Sequence, residues 1–107
     1  MMTGKESVAV SAVEWKRNAR ELAETMGLTQ AVHQYASLAR ASFSVIGPVN
    51  VQASNDPETD DRYLAIDFRV SGPVDEVLAS EERFQIAAVR ELPMNKLFHL
   101  RLSYDLI

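Results

Sequence analysis

The chain has 107 residues, no cysteine, 47% hydrophobic residues and a net charge of −4. That is enough for one core, which at this size buries roughly 60–70% of the unfolded surface, and too little for two ordinary domains. The composition excludes a disulfide framework, a thiolate metal site, a cysteine nucleophile and a disordered chain. Residues 1–43 carry five basic and four acidic side chains, for +1, and residues 44–107 carry six and eleven, for −5. Duplex binders show the opposite balance, since phosphates demand a basic face, so a nucleic-acid partner is disfavoured. No stretch approaches the ~20 apolar residues of a membrane span, and Met1 to Glu6 leads into no apolar signal region. Membrane association is not expected, and the cytoplasm is the expected compartment.

Residues 1–7 read as frayed. Ser11 and Glu14 have the spacing of a capping box, and Trp15, Ala19, Leu22 and Met26 recur at helical intervals. These predict a first helix from Ser11 that Gly27 ends. Thr29 then caps a second helix over Gln30–Phe43, with Val32, Tyr35, Ala36, Ala39 and Phe43 on one face. The short connection predicts an αα-hairpin, and Gly47-Pro48 ends the helical half.

Beyond it the apolar period falls to two. Val49, Val51 and Ala53 alternate with Asn50 and Gln52. Leu64, Ile66, Phe68 and Val70 alternate with Tyr63, Ala65, Asp67 and Arg69. The turn chemistry of Asn55–Asp61 joins these runs into an antiparallel hairpin. Ser71-Gly72-Pro73 opens a further helix, with Asp75 and Glu76 in its first turn. Its apolar residues Val74, Val77, Leu78, Phe84, Ala88 and Leu92 form a stripe that Glu81 and Glu82 interrupt, so Phe84–Val89 reads as helix or as a short strand. Pro93 ends it. A last strand follows over Lys96–Leu106, with Phe98, Leu100, Leu102, Tyr104 and Leu106 on one side and Leu97, His99, Arg101, Ser103 and Asp105 on the other.

The expected fold is a single α+β domain: an N-terminal αα-hairpin followed by β-β-α-β, with a three-stranded, mostly antiparallel sheet and helices packed on one face. Beside the first strand, the last would make every neighbour antiparallel. Beside the second, it would run parallel after a crossover.

Each candidate site has a blander reading beside it. Asp56, Glu58, Asp60 and Asp61 crowd one turn and suggest a calcium loop, but the sixth loop position is Asp61 where glycine is required and the twelfth is Asp67. A solvated hairpin loop is preferred. Asp67, Arg69, His99, Arg101 and Asp105 share the polar side of the strands and form a possible interaction face. A histidine among carboxylates and arginines could do acid–base work, so a small enzyme using Asp67, His99 and Arg101 is the alternative. No nucleophile is placed beside them. Base stacking would need outward aromatics, and only Tyr63 qualifies. His33 stands alone, two histidines without cysteine do not suggest zinc, and the four scattered glycines build no phosphate loop. Lys16, Arg17 and Arg20 are interleaved with acids and read as a solvated face.

No catalytic residue, metal ligand or cofactor is therefore assigned. The reading that remains is a non-catalytic interaction or accessory protein acting through a sheet edge or sheet face, with a homodimer or a separate protein as partner.

Overall fold

The computed structural model describes residues 13–107. The readings at 1–7 and at Ser11 lie outside the described residues. The chain runs β1 (Val13–Trp15), α1 (Ala19–Thr25), α2 (Thr29–Ser42), β2 (Val45–Asn55), β3 (Arg62–Val70), α3 (Val74–Glu91), α4 (Met94–Leu97) and β4 (Leu100–Leu106). The α+β class holds, but among the described residues the sheet has four strands in the order β1-β2-β3-β4 rather than three. It is mixed: β1 runs parallel to β2, β2 antiparallel to β3, and β3 parallel to β4.

The additional strand corrects the first predicted helix. Val13 and Trp15 flank Glu14, the alternation and side-chain types a strand prefers, and they pair with Val49 and Val51. Lys16 N–H continues the ladder to the Val51 carbonyl at 2.8 Å. Asn18 then adopts the left-handed conformation, with φ 66°, which asparagine tolerates better than most residues. Helix α1 starts only after that break. The helical spacing of Trp15 with Ala19 thus spans two elements. Helices α1 and α2 follow one another through Met26–Leu28, but as the crossover between parallel strands rather than as an N-terminal hairpin. Parallel neighbours require such a crossover.

The β2–β3 hairpin forms as the alternation predicts. β2 starts earlier, at Val45, and passes through Gly47-Pro48 by a bulge: Ile46 pairs with Arg69 and Asn50 with Asp67, leaving extra residues on β2. Gly47 has φ 78° and Pro48 has no amide to give the ladder. The Arg40 guanidinium donates to the Gly47 carbonyl at 2.8 Å and ties the bulge to α2.

Segment Phe84–Val89 is helical within α3. The last strand is shorter than predicted. Pro93 precedes α4, and Lys96 and Leu97 are in that turn of helix. Phe98 is consequently 67% exposed and not on the inner face. β4 lies beside β3 in parallel, from Leu64 opposite Leu100 to Val70 opposite Leu106.

All the described helices cover one face. Val49, Val51, Leu64, Ile66, Phe68, Val70 and Leu100 point into the core with Leu22, Leu28, Val32, Tyr35, Phe43, Val77 and Phe84. Aromatic rings dominate its centre: Phe84 meets Tyr35 edge-on at 4.9 Å between centroids, and Phe43 lies 5.3 Å from Phe68 and 5.1 Å from Tyr104. Such pairs add about 0.5–1.5 kcal/mol beyond their burial. Polar links fasten the helices to one another. Arg83 donates to Ser80 Oγ at 3.0 Å and to the Ser42 carbonyl at 3.4 Å. Lys96 Nζ donates to the Gly27 carbonyl at 3.0 Å, where α1 ends.

Candidate interaction surface

The register fixes the polar face. Glu14 stands beside Asn50, Asn50 beside Asp67, and Asp67 beside Ser103. Arg69 is opposite Asp105, and Ala65 is opposite Arg101. Asp67, Arg69, Arg101 and Asp105 therefore share the face away from the helices, as their alternation predicts.

His99 leaves that pattern. It sits in the turn before β4, where its carbonyl accepts the Leu64 amide at 2.8 Å and its Nδ1 is 3.4 Å from the Arg62 carbonyl. Asp67 is opposite Ser103, so the histidine stands about 13 Å from it along the ladder, at ~3.3 Å per residue. The imidazole and that carboxylate are not brought together. Arg101 is engaged elsewhere. Its guanidinium lies 4.0 Å from the Tyr63 ring centroid and 3.5 Å from Asp56 Oδ2. It acts as a clasp between β4 and the acidic turn, using the cation–π attraction of an aromatic face.

The acidic turn is organised by its own hydrogen bonds. The Glu58 amide donates to Asp56 Oδ1 at 2.9 Å, the Asp61 amide to Thr59 Oγ1 at 3.3 Å, and Asn55 Nδ2 to Asp60 Oδ1 at 3.5 Å. The Glu58 amide above all, then the Thr59 amide and Arg101, hold the Asp56 carboxyl below the usual carboxylate range. Among the described residues, no three histidine, aspartate or glutamate side chains gather to hold a metal ion.

The outer edge of β4 has a different character. No described strand pairs with it, since β4 ends the sheet. The His99 carbonyl and the Ile107 amide both bond to β3. Successive residues alternate their backbone direction, so the amides and carbonyls of Arg101, Ser103 and Asp105 also face β3. Those of Leu100, Leu102, Tyr104 and Leu106 face outward. This edge is a row of hydrogen-bonding groups seven residues long.

A groove of about 450 Å³ runs beside the edge on the helical side, lined among others by Gln85, Phe84, Ala88, Val89, Leu102 and Tyr104. One wall is the flank of α3. At about 100° per residue, Val74, Leu78, Gln85 and Val89 fall on one stripe of that helix, next to its buried stripe of Val77, Phe84 and Ala88. Val74, Leu78 and Val89 are 59%, 58% and 60% exposed. The Tyr104 hydroxyl donates to Glu81 Oε1 at 2.7 Å and joins strand to helix across the groove. That hydrogen bond, with burial second, raises the Tyr104 pKa above the ordinary tyrosine value.

Sequence reasoning finds the strand and misses the α3 wall, because spacing alone places Val74 and Leu78 on the same core stripe as Val77 and Phe84. The available signal is the breadth of the stripe: a helix covering one sheet needs a narrower apolar arc than α3 has. A second groove, of about 470 Å³, lies between α1 and the ends of β2 and β3, lined by Asn18, Glu21, Thr25, Asn55 and Arg62 among others.

Among the described residues, no helix is long and apolar enough to cross a membrane. No family model, no curated protein and no solved structure matches the chain.

Proposed function

We propose that this chain is a non-catalytic interaction domain that accepts a strand of another polypeptide against the outer edge of β4. The observation that carries the reading is the conjunction at one place of outward backbone groups on Leu100, Leu102, Tyr104 and Leu106 with a groove beside them, which Phe84, Ala88, Val89 and Leu102 line together with the polar Glu81 and Gln85. Strand addition draws affinity from main-chain hydrogen bonds and specificity from side-chain pockets at alternate positions. β4 offers the first and the groove the second. Long exposed edges that are not meant to pair are usually shortened, kinked or charged. Along β4, only Arg101 and Asp105 carry charge, and both point to the polar face rather than along the edge. The polar face, with Asp67, Arg69, Arg101 and Asp105, would form the rim of such an interface.

The surplus of acidic side chains favours a protein partner over a nucleic acid. A chain without cysteine suits the reducing cytoplasm, where we place it.

The test is site-specific photo-crosslinking in living cells. The photo-reactive residue p-benzoylphenylalanine is placed at Val89, in the groove wall, and separately at Glu24, which is exposed on α1. The expected result is a crosslinked polypeptide from the Val89 position only. That polypeptide, purified and added back, should slow deuterium exchange at the Leu102 and Tyr104 amides. Equal crosslinking from both positions, or none from Val89, would overturn the proposal.

A further inference from the structure

Resting on the reading of β4 as a docking edge, we infer that the strand it accepts is β4 of a second copy, in an antiparallel pair whose two-fold axis passes through Ser103. The strand itself reads Leu100-Arg101-Leu102-Ser103-Tyr104-Asp105-Leu106. Turned end for end about Ser103, it is complementary to itself. Arg101 comes opposite Asp105 of the second copy, Leu102 opposite its Tyr104, and Leu100 opposite its Leu106. Opposite charges, an aromatic–aliphatic pair and an aliphatic pair are the combinations that stabilise cross-strand neighbours.

The backbone selects the same arrangement. Leu100, Leu102, Tyr104 and Leu106 direct their amides and carbonyls outward. In the Ser103-centred register each of these residues meets another of the set, so every outward group from Leu100 to Leu106 gains a partner. Arg101, Ser103 and Asp105 then occupy the non-hydrogen-bonded positions, where facing residues stand closest, about 4.5 Å between Cα atoms. The small Ser103 side chain permits that approach on the axis, and the shorter spacing favours contact between Arg101 and Asp105 of the second copy.

Neighbouring registers lose these features. A slip must move by two residues to keep apolar side chains on the helical face. Centring on Leu102 sets Arg101 against Ser103. Centring on Tyr104 sets Arg101 against Ile107. Either shift separates the charges and shortens the overlap. The two α3 flanks also contribute. With the strands paired about Ser103, Leu102 and Tyr104 of the second copy rise on the helical side, beside the groove that Gln85 and Val89 line. The resulting interface is isologous and closes after two subunits, joining two four-stranded sheets into one.

The test is charge exchange, read by sedimentation equilibrium on the full chain. The native protein is expected to dimerise with rising concentration. Arg101→Asp and Asp105→Arg each place like charges opposite one another, and each should weaken association roughly tenfold or more. Mixing these two variants should restore it, because each then faces its opposite charge, and so should the double exchange in one chain. Arg101 also clasps Asp56 and Tyr63, so Ser103→Lys, an exposed change on the axis, is the independent variant. It should stay folded by circular dichroism and lose dimerisation. In the native dimer, deuterium exchange should slow at the outward amides of Leu102 and Tyr104, while the Ser103 amide, already bonded to β3, should change little.

The outcomes separate the two readings. A dimer indifferent to all these substitutions, or mutants that the mixture does not rescue, would overturn the inference. A native chain monomeric at every concentration, with Val89 crosslinking to another protein, would overturn self-pairing and keep the docking edge. A monomer with no Val89 crosslink would overturn both.

Discussion

Phe84 and Ile86 provide the sharpest test of how α3 is built. The two residues have the same parity, so in a strand they would share one face. In a helix they diverge by about 200°. Phe84 is 1% exposed and Ile86 is 54% exposed. The Phe84 ring sits 4.9 Å from Tyr35 and 6.0 Å from Phe43, so Phe84→Ala removes burial, two aromatic contacts and the volume between α2 and α3. Full burial of a phenylalanine contributes ~1.5–3 kcal/mol, and the cavity left behind raises the cost of truncation to ~3–5 kcal/mol. That is a large part of the ~5–15 kcal/mol that holds a domain together. Ile86→Ala deletes a mostly solvated side chain, and its cost should stay within ~0.5 kcal/mol. Urea unfolding followed by the fluorescence of Trp15, the one tryptophan in the chain, measures both. Dilute solution keeps association from adding stability. Similar costs for the two variants, or a Phe84→Ala cost under ~1 kcal/mol, would refute the helix and its placement.

Three further outcomes follow from the described contacts. Asp56 should titrate below the usual carboxylate range by carboxyl-carbon NMR; its contribution to stability is present above the ordinary aspartate pKa and is lost as pH falls through the lowered value. Because the Glu58 amide is the leading cause, Arg101→Ala should leave most of that displacement in place, and full recovery of the ordinary value would contradict the turn geometry. Burial pushes the Tyr35 hydroxyl up to about 12, so alkaline difference absorbance should show a late phenolate step that Tyr35→Phe removes. The stability linked to Tyr35 is complete below the ordinary tyrosine pKa and disappears as pH rises through the raised value. Gly27 holds φ +68°, and a Cβ there would meet no atom within 4 Å. Gly27→Ala should therefore cost about 1 kcal/mol from backbone strain alone, and no cost in urea unfolding would show that α1 does not end in the left-handed conformation.

Local signals are sufficient wherever one element holds a whole pattern. Leu64 to Val70 alternate within a single strand, and Val32, Tyr35, Ala36 and Ala39 repeat along a single helix. The failures fall where a pattern crosses a boundary. Trp15 and Ala19 are spaced for a helix, yet the left-handed Asn18 divides them, and the pairing that makes Val13–Trp15 a strand comes from Val49–Val51, far along the chain. Pro93 reads from its neighbours only as the end of α3. Pro73, with the same extended backbone, stands at the head of a helix, and Pro93 does likewise for α4. Reading both prolines alike shortens β4 and removes His99 from the sheet face.

The candidate site is legible in its parts and not in its arrangement. Arg101 and Asp105 are visibly opposite in sign and equally spaced from Ser103, but that symmetry has no consequence in the sequence alone. It acquires one only if β4 lies at the margin of the sheet, and if Leu102 and Tyr104, rather than Ser103, direct their backbone groups outward. Both conditions are tertiary. The first depends on β4 joining β3 in parallel instead of joining β2 or β1. The second depends on the His99 carbonyl and the Ile107 amide fixing which residues are spent on β3. With β4 inside the sheet, Arg101 and Asp105 would meet residues of two fixed neighbours and their symmetry would be incidental. With the opposite backbone parity, Ser103 would become a hydrogen-bonded pair and Arg101 would stand farther from Asp105 of the second copy. The self-complementarity of Leu100–Leu106 is therefore a property of sequence and topology together, and it is on that joint condition that the charge-exchange experiment bears.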